Sequence, residues 1–185
     1  MFRAALSLTL VALAPAVPVS SLSSGAAVAV CFAPEENCAD FADRAIGNAE
    51  REILVGAYGL TIGSSIAEAL IRAKGRGIDV RLIADKTTPC ERNSAVGPLA
   101  AAGVPIWIDD QARIAHAKTM VIDGAVTLTG SYNWTRGAAA NSENLNLISH
   151  DVVAAYAAHW RQRLAVSIRF DRKEDWCRVA TTEAR

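Results

Sequence analysis

Apolar residues recur along the chain with two periods, and their alternation predicts an order of strands and helices. Val28 to Phe32 is a short apolar run stopped by Pro34 and Asn37, which reads as a strand. From Ala39 to Glu52, Phe41, Ala45, Ile46 and Ala49 fall at helical spacing behind Asp40, so an amphipathic helix is expected. Ile53 to Tyr58 is apolar without alternation, as in a strand buried on both faces. Ser64 and Ser65 then open a helix carrying Ile66, Ala69, Leu70 and Ala73, closed by Gly75 and Gly77. Asp79 to Asp85 is a further strand.

Past a polar loop from Lys86 to Gly97, the pattern shortens. Leu99 to Ala102 gives a helical turn ended by Gly103, and Val104 to Ile108 a strand. Ile114 to Ile122 and Ala125 to Thr129 read as two strands joined at Asp123 and Gly124, a strong hairpin signal. Leu145 to Ile148 is the last strand, and Val152, Val153, Tyr156, Trp160 and Leu164 stripe a C-terminal helix. Strands alternating with helices predict an α/β fold: a mixed, mostly parallel β-sheet flanked by helices on both faces.

The first residues are read as a leader. Arg3 precedes an apolar stretch from Ala4 to Val19, broken by Pro15 and Pro18, and small residues follow as far as Ala27. This is the layout of a secretory signal, too short and interrupted to span a bilayer comfortably. The expected organisation is a signal peptide at 1–27 and a single domain at 28–185, periplasmic or secreted, with no stable membrane insertion after cleavage. Removing 27 of the 185 residues leaves 158, and without Arg3 the 18 remaining basic residues face 19 acidic ones. So balanced a charge argues against a protein that holds nucleic acid through a strong overall positive field, though not against a local basic cleft.

In such a compartment the four cysteines can pair, with three possible connectivities. Cys31 with Cys38, closing a short loop, and Cys90 with Cys177 is the preferred set. A zinc site is disfavoured, because no C-x-x-C pair occurs and no histidine lies nearby.

Candidate chemistry gathers between residues 116 and 143. On the expected strand, His116 and Lys118 share a face, setting an imidazole beside a cation. By the same parity Ser131 and Asn133, behind Gly130, share a face of the next strand. If the hairpin pairs the two strands, these groups converge on a pocket suited to a tetrahedral anion, with Lys for charge and Ser and Asn as donors. Taken singly, each piece has a plainer reading: a half-exposed surface pair for His116 and Lys118, and a well-bonded turn for the Gly-Ser-x-Asn stretch.

The combined spacing, His116-x-Lys118-(x)4-Asp123-(x)6-Gly130-Ser131-x-Asn133, resembles the signature of the phospholipase D superfamily. Similarity to its short bacterial endonuclease branch runs from about residue 28 to 170, including Asn141 to Asn144 and the His159, Trp160 helix. The resemblance implies a phospholipase D-like sandwich and a phosphodiesterase. His116 would be the nucleophile, giving a phosphohistidine. Lys118, Ser131 and Asn133 would bind phosphate oxygens, and Glu143 would accept a hydrogen bond from the other ring nitrogen of His116. Asp123 and Gly130 belong to the signature in structural roles. Neither a metal nor another cofactor is required, since two imidazoles and a lysine carry the chemistry.

The chain has only three histidines and one H-x-K, since Asp151 and Val152 follow His150, and Trp160 and Arg161 follow His159. Two imidazoles about one phosphorus therefore imply a two-fold homodimer. A non-specific endonuclease acting on DNA or RNA is the leading reading, because 158 residues leave little room for a lipid-holding lid. A phospholipase D acting on glycerophospholipid head groups is the alternative. An inactive module binding nucleic acid or an anion is a third, opposed by the intact set of reactive residues.

Overall fold

A computed structural model describes residues 27–171 and 176–177. Residues 1–26, nearly all of the expected leader, lie outside them. The elements follow in the order β1 (Val28–Ala33), α1 (Cys38–Gly47), β2 (Glu52–Ala57), α2 (Ser65–Gly75), β3 (Asp79–Asp85), α3 (Val96–Ala101), β4 (Ile106–Asp109), β5 (Lys118–Ile122), β6 (Val126–Gly130), β7 (Glu143–Ser149), α4 (Val152–Val166) and β8 (Ile168–Arg169). Short 3-10 turns lie at Thr88–Cys90 and Arg136–Ala140.

All eight strands form one sheet in the order β1-β7-β6-β5-β2-β3-β4-β8. The expected mostly parallel sheet is corrected here. Only β2 with β3 and β3 with β4 run parallel, and the other neighbours are antiparallel. The reason is the length and type of connection. Helical crossovers α2 and α3 return the chain parallel, whereas β5, β6 and β7 are joined without α-helices and must reverse. The β5–β6 turn places both Asp123 (φ 55°) and Gly124 (φ 65°) in the left-handed region, as a tight hairpin demands.

Helices cover both faces. On one, Ala42 and Ile46 of α1, Ile66, Leu70 and Ala73 of α2 and Leu99 of α3 pack on Ile53, Val55, Leu82, Met120 and Leu128. On the other, Val153, Ala157 and Trp160 of α4 pack on Leu54, Ile83 and Val121. Strand β2 is therefore buried on both sides, which its unbroken apolar run requires. Disulfides join Cys31 to Cys38 and Cys90 to Cys177. No described helix is long and apolar enough to cross a membrane.

Candidate active site

Lys118 opens β5 opposite Ala57, the last residue of β2, while Gly130 closes β6 opposite Leu145 near the start of β7. The predicted site residues thus collect at one end of the sheet, where β2 and β6 finish and β5 and β7 begin.

His116 does not sit on the strand that periodicity placed it on, because β5 starts only at Lys118. Buried carboxylates brace the irregular stretch before it. Asp85, at the end of β3, accepts from the Ala115 N–H at 2.6 Å, and Asp109, at the end of β4, accepts from the Gln111 N–H at 3.2 Å. The Lys86 ammonium reaches the Ala112 carbonyl at 3.2 Å. Asp109 also takes a two-pronged bond from Arg163 of α4, at 2.6 and 2.7 Å. Burial alone would raise the Asp109 carboxyl, but Arg163 and the N–H groups of Ala112 and Gln111 outweigh it and hold the pKa below the ordinary range. Sequence reasoning missed these braces; the signal available was an aspartate at the C-terminal end of two successive strands.

His116 is exposed and Lys118 is buried. The ammonium lies 2.9 Å from His116 Nδ1, 3.1 Å from Nε2 and 2.9 Å from the His116 carbonyl oxygen. Burial pushes the Lys118 pKa down, and the negative charge of Glu143 pulls it part of the way back. The same two influences, burial and then Glu143, raise the buried Tyr132 phenol. Glu143 thus acts on the site through its field. Its carboxylate accepts from Asn141 Nδ2 at 3.2 Å, and a bond from His116, expected from the family signature, is not among those described.

Ser131 Oγ accepts from the Asn144 N–H at 3.1 Å, which leaves its own proton free to donate. Asn133 carries a buried Oδ1 without a hydrogen-bond partner. Rotation of the amide exchanges oxygen for NH2, so the position can offer a donor to an incoming phosphate oxygen. Gly59 makes room for it, since a Cβ there would stand 3.1 Å from Oδ1.

Asp123 lies at the β5–β6 turn, at the other end of β5 from Lys118, and binds backbone. Its carboxylate accepts from the N–H groups of Glu50, Arg51 and Glu52 at 2.7–2.9 Å, and its carbonyl accepts from the Arg51 guanidinium at 2.7 Å. Gly130 is required by a close approach, because a Cβ would collide with the Asn144 carbonyl oxygen. Trp134, adjacent to Asn133, is fully buried and donates to the Gly56 carbonyl at 3.1 Å, so it cannot stack on a base. Arg113 and Arg136 are exposed.

A family model described as cardiolipin synthase, PLD-like domain, matches residues 43–165. The chain belongs to the phospholipase D superfamily. Among its curated relatives, a phospholipase D of Rickettsia conorii is 35% identical over 140 residues, covering 75% of this chain and 70% of the relative. A mitochondrial cardiolipin hydrolase of Xenopus tropicalis is 41% identical over 95 residues, covering 50% and 45% respectively. Among solved structures, the phospholipase D family member Nuc of Salmonella typhimurium superposes with a TM-score of 0.73 at 29% identity, over 80% of this chain and 99% of Nuc. NucT of Helicobacter pylori shares the fold, with a TM-score of 0.72 at 21% identity, over 78% and 99%. This phospholipase D-family chain is accordingly a phosphodiesterase, a hydrolase of the nuclease or phospholipase D type.

Proposed function

We propose that this phosphodiesterase is a metal-independent, non-specific endonuclease of DNA or RNA, exported to the periplasm or beyond, that works as a homodimer through a phosphohistidine. The observation that carries the reading is one exposed imidazole against one buried ammonium at the end of the sheet, present once per chain. His150 follows the far end of β7, and His159 lies on α4, on the sheet face away from α1 and α2. The described bonds of the Lys118 ammonium to an imidazole go to His116. The similarity to Nuc, which this chain spans almost completely, supports a nucleic-acid substrate for so compact a domain.

In this mechanism His116 attacks phosphorus while His116 of a second copy gives its proton to the departing ester oxygen. That second imidazole then takes a proton from water, the hydroxide attacks phosphorus, and the N–P bond breaks to free the first. Lys118, Ser131 and Asn133 hold the non-bridging oxygens as their charge grows. Glu143 favours the ammonium form of Lys118 and offsets part of the cost of its burial.

Hydrolysis of a glycerophospholipid head group is the second reading, favoured by the identity to the Rickettsia and Xenopus relatives. Purified protein in EDTA, incubated in parallel with plasmid DNA, RNA and phosphatidylcholine vesicles, separates the two. Cleavage of nucleic acid alone supports the endonuclease, and head-group release alone overturns it. His116→Ala is expected to abolish turnover, and a fully active monomer by light scattering would defeat the shared-site mechanism.

A further inference from the structure

Tyr58 lies outside the family signature spacing, yet its ring touches both of the reactive groups. It is the first residue past β2, and its N–H donates to the Ala117 carbonyl at 3.1 Å while its carbonyl accepts from the Thr88 hydroxyl at 2.5 Å. These two bonds fix the residue opposite the start of β5. Its ring centroid stands 4.2 Å from that of His116, at an interplanar angle of 51°. The Lys118 ammonium stands 4.9 Å from the same centroid, over the ring.

Imidazole, ammonium and phenol ring thus close a triangle. An exposed histidine on an irregular segment has several rotamers open to it, and a ring at this distance removes some of them. A cation over an aromatic face is drawn to its negative quadrupole, an attraction that grows where water is excluded. Lys118 is such a cation, buried and crowded by an imidazole.

We propose that Tyr58 is a positioning residue for the phosphodiesterase reaction: its ring holds the His116 imidazole in line and stabilises the Lys118 charge. The inference rests on the roles given to His116 and Lys118 above. The groups facing Lys118 are His116 from the preceding segment, Tyr58 from the end of β2 and Glu143 from the start of β7.

The test compares Tyr58→Phe, which keeps the ring, with Tyr58→Leu and Tyr58→Met, which remove it. Two truncations guard against one failing to fold. The first readout is the NMR signal of the His116 ring protons, which needs no substrate. The ring-current displacement from Tyr58 should persist in Tyr58→Phe and vanish in the truncations. The second is turnover against pH on whichever phosphodiester the parent cleaves. Truncation should lower kcat about tenfold and move the alkaline limb to lower pH, while Tyr58→Phe keeps both near the parent. Truncated variants with the parent's kcat and alkaline limb, or Tyr58→Phe as impaired as they are, would overturn the proposal. Failure of the mechanism itself shows separately, as activity retained in His116→Ala.

Discussion

The Lys118 ammonium touches both ring nitrogens of His116 from a buried position, while the imidazole itself is open to solvent. The proposed nucleophile is therefore accessible to a polymer or a membrane, and the cation beside it is shielded from water. Shielding strengthens the lysine's pull on phosphate but makes its charge costly to keep.

Replacing Lys118 with Met should reduce turnover about a hundredfold or more, the effect of removing one preorganised stabilising group. The fold should survive or gain in melting temperature, because a buried charge is replaced by a side chain that needs no solvation. Circular dichroism melts beside single-turnover rates check both halves; a lowered melting temperature would contradict this account of the site.

The depressed Lys118 pKa sets the sign of two pH effects. Activity that depends on the ammonium should fall on the alkaline side earlier than for an ordinary lysine. Stability runs the other way: between the lowered folded pKa and the ordinary unfolded one, the unfolded chain binds more protons, so this group's contribution rises with pH. Loss of the alkaline limb in Lys118→Met would assign it.

Asp123 should matter to stability and not to chemistry. Burial favours its neutral form, but the N–H groups of Glu50, Arg51 and Glu52 and the Arg51 charge prevail and lower its pKa. Its stabilisation is therefore present above the unfolded pKa and lost as pH falls through the lower folded one. Asp123→Ala should cost about 2–4 kcal/mol, and Asp123→Asn less, because Asn tolerates the positive φ and keeps an acceptor. Urea melts measure the loss, and kcat of the folded fraction should stay near that of the parent.

Gly130→Ala should disrupt the β6–β7 pairing that carries Ser131, since the added methyl meets the Asn144 backbone, which has no flexible side chain to yield. A loss of about 1–3 kcal/mol with a parallel loss of activity is expected, read from chemical denaturation and turnover on one preparation.

Breaking Cys90–Cys177 should destabilise more than breaking Cys31–Cys38, since the first closes 87 residues of separation and the second only 7. Loop-closure entropy gives about 4.6 and about 2.4 kcal/mol. Paired Cys→Ser variants compared by thermal melting would show whether the order holds.

Much of the fold could be read from the chain because local patterns dictated it. The unbroken apolar run of β2, the period of α2 between its serines and glycines, and the Asp123, Gly124 hairpin each depend on neighbours in sequence. The sheet's direction did not, because parallel or antiparallel pairing is decided by which distant strand lies alongside. β5 meets β2 antiparallel across a separation of some 65 residues, and no local period encodes that choice.

The site divides in the same way. Strand parity and spacing grouped His116, Lys118, Ser131 and Asn133 as candidates for binding a tetrahedral anion, and the family resemblance added Glu143. Only the tertiary structure decided that His116 stands off the strand, braced through Asp85 at the Ala115 N–H, that Tyr58 faces it from just past β2, and that Glu143 acts on Lys118 through space. Side-chain type fixes what a residue can do and strand parity fixes its near neighbours. Which groups meet across the end of the sheet depends on chain crossings hundreds of bonds long, and those are settled by burial of the whole core.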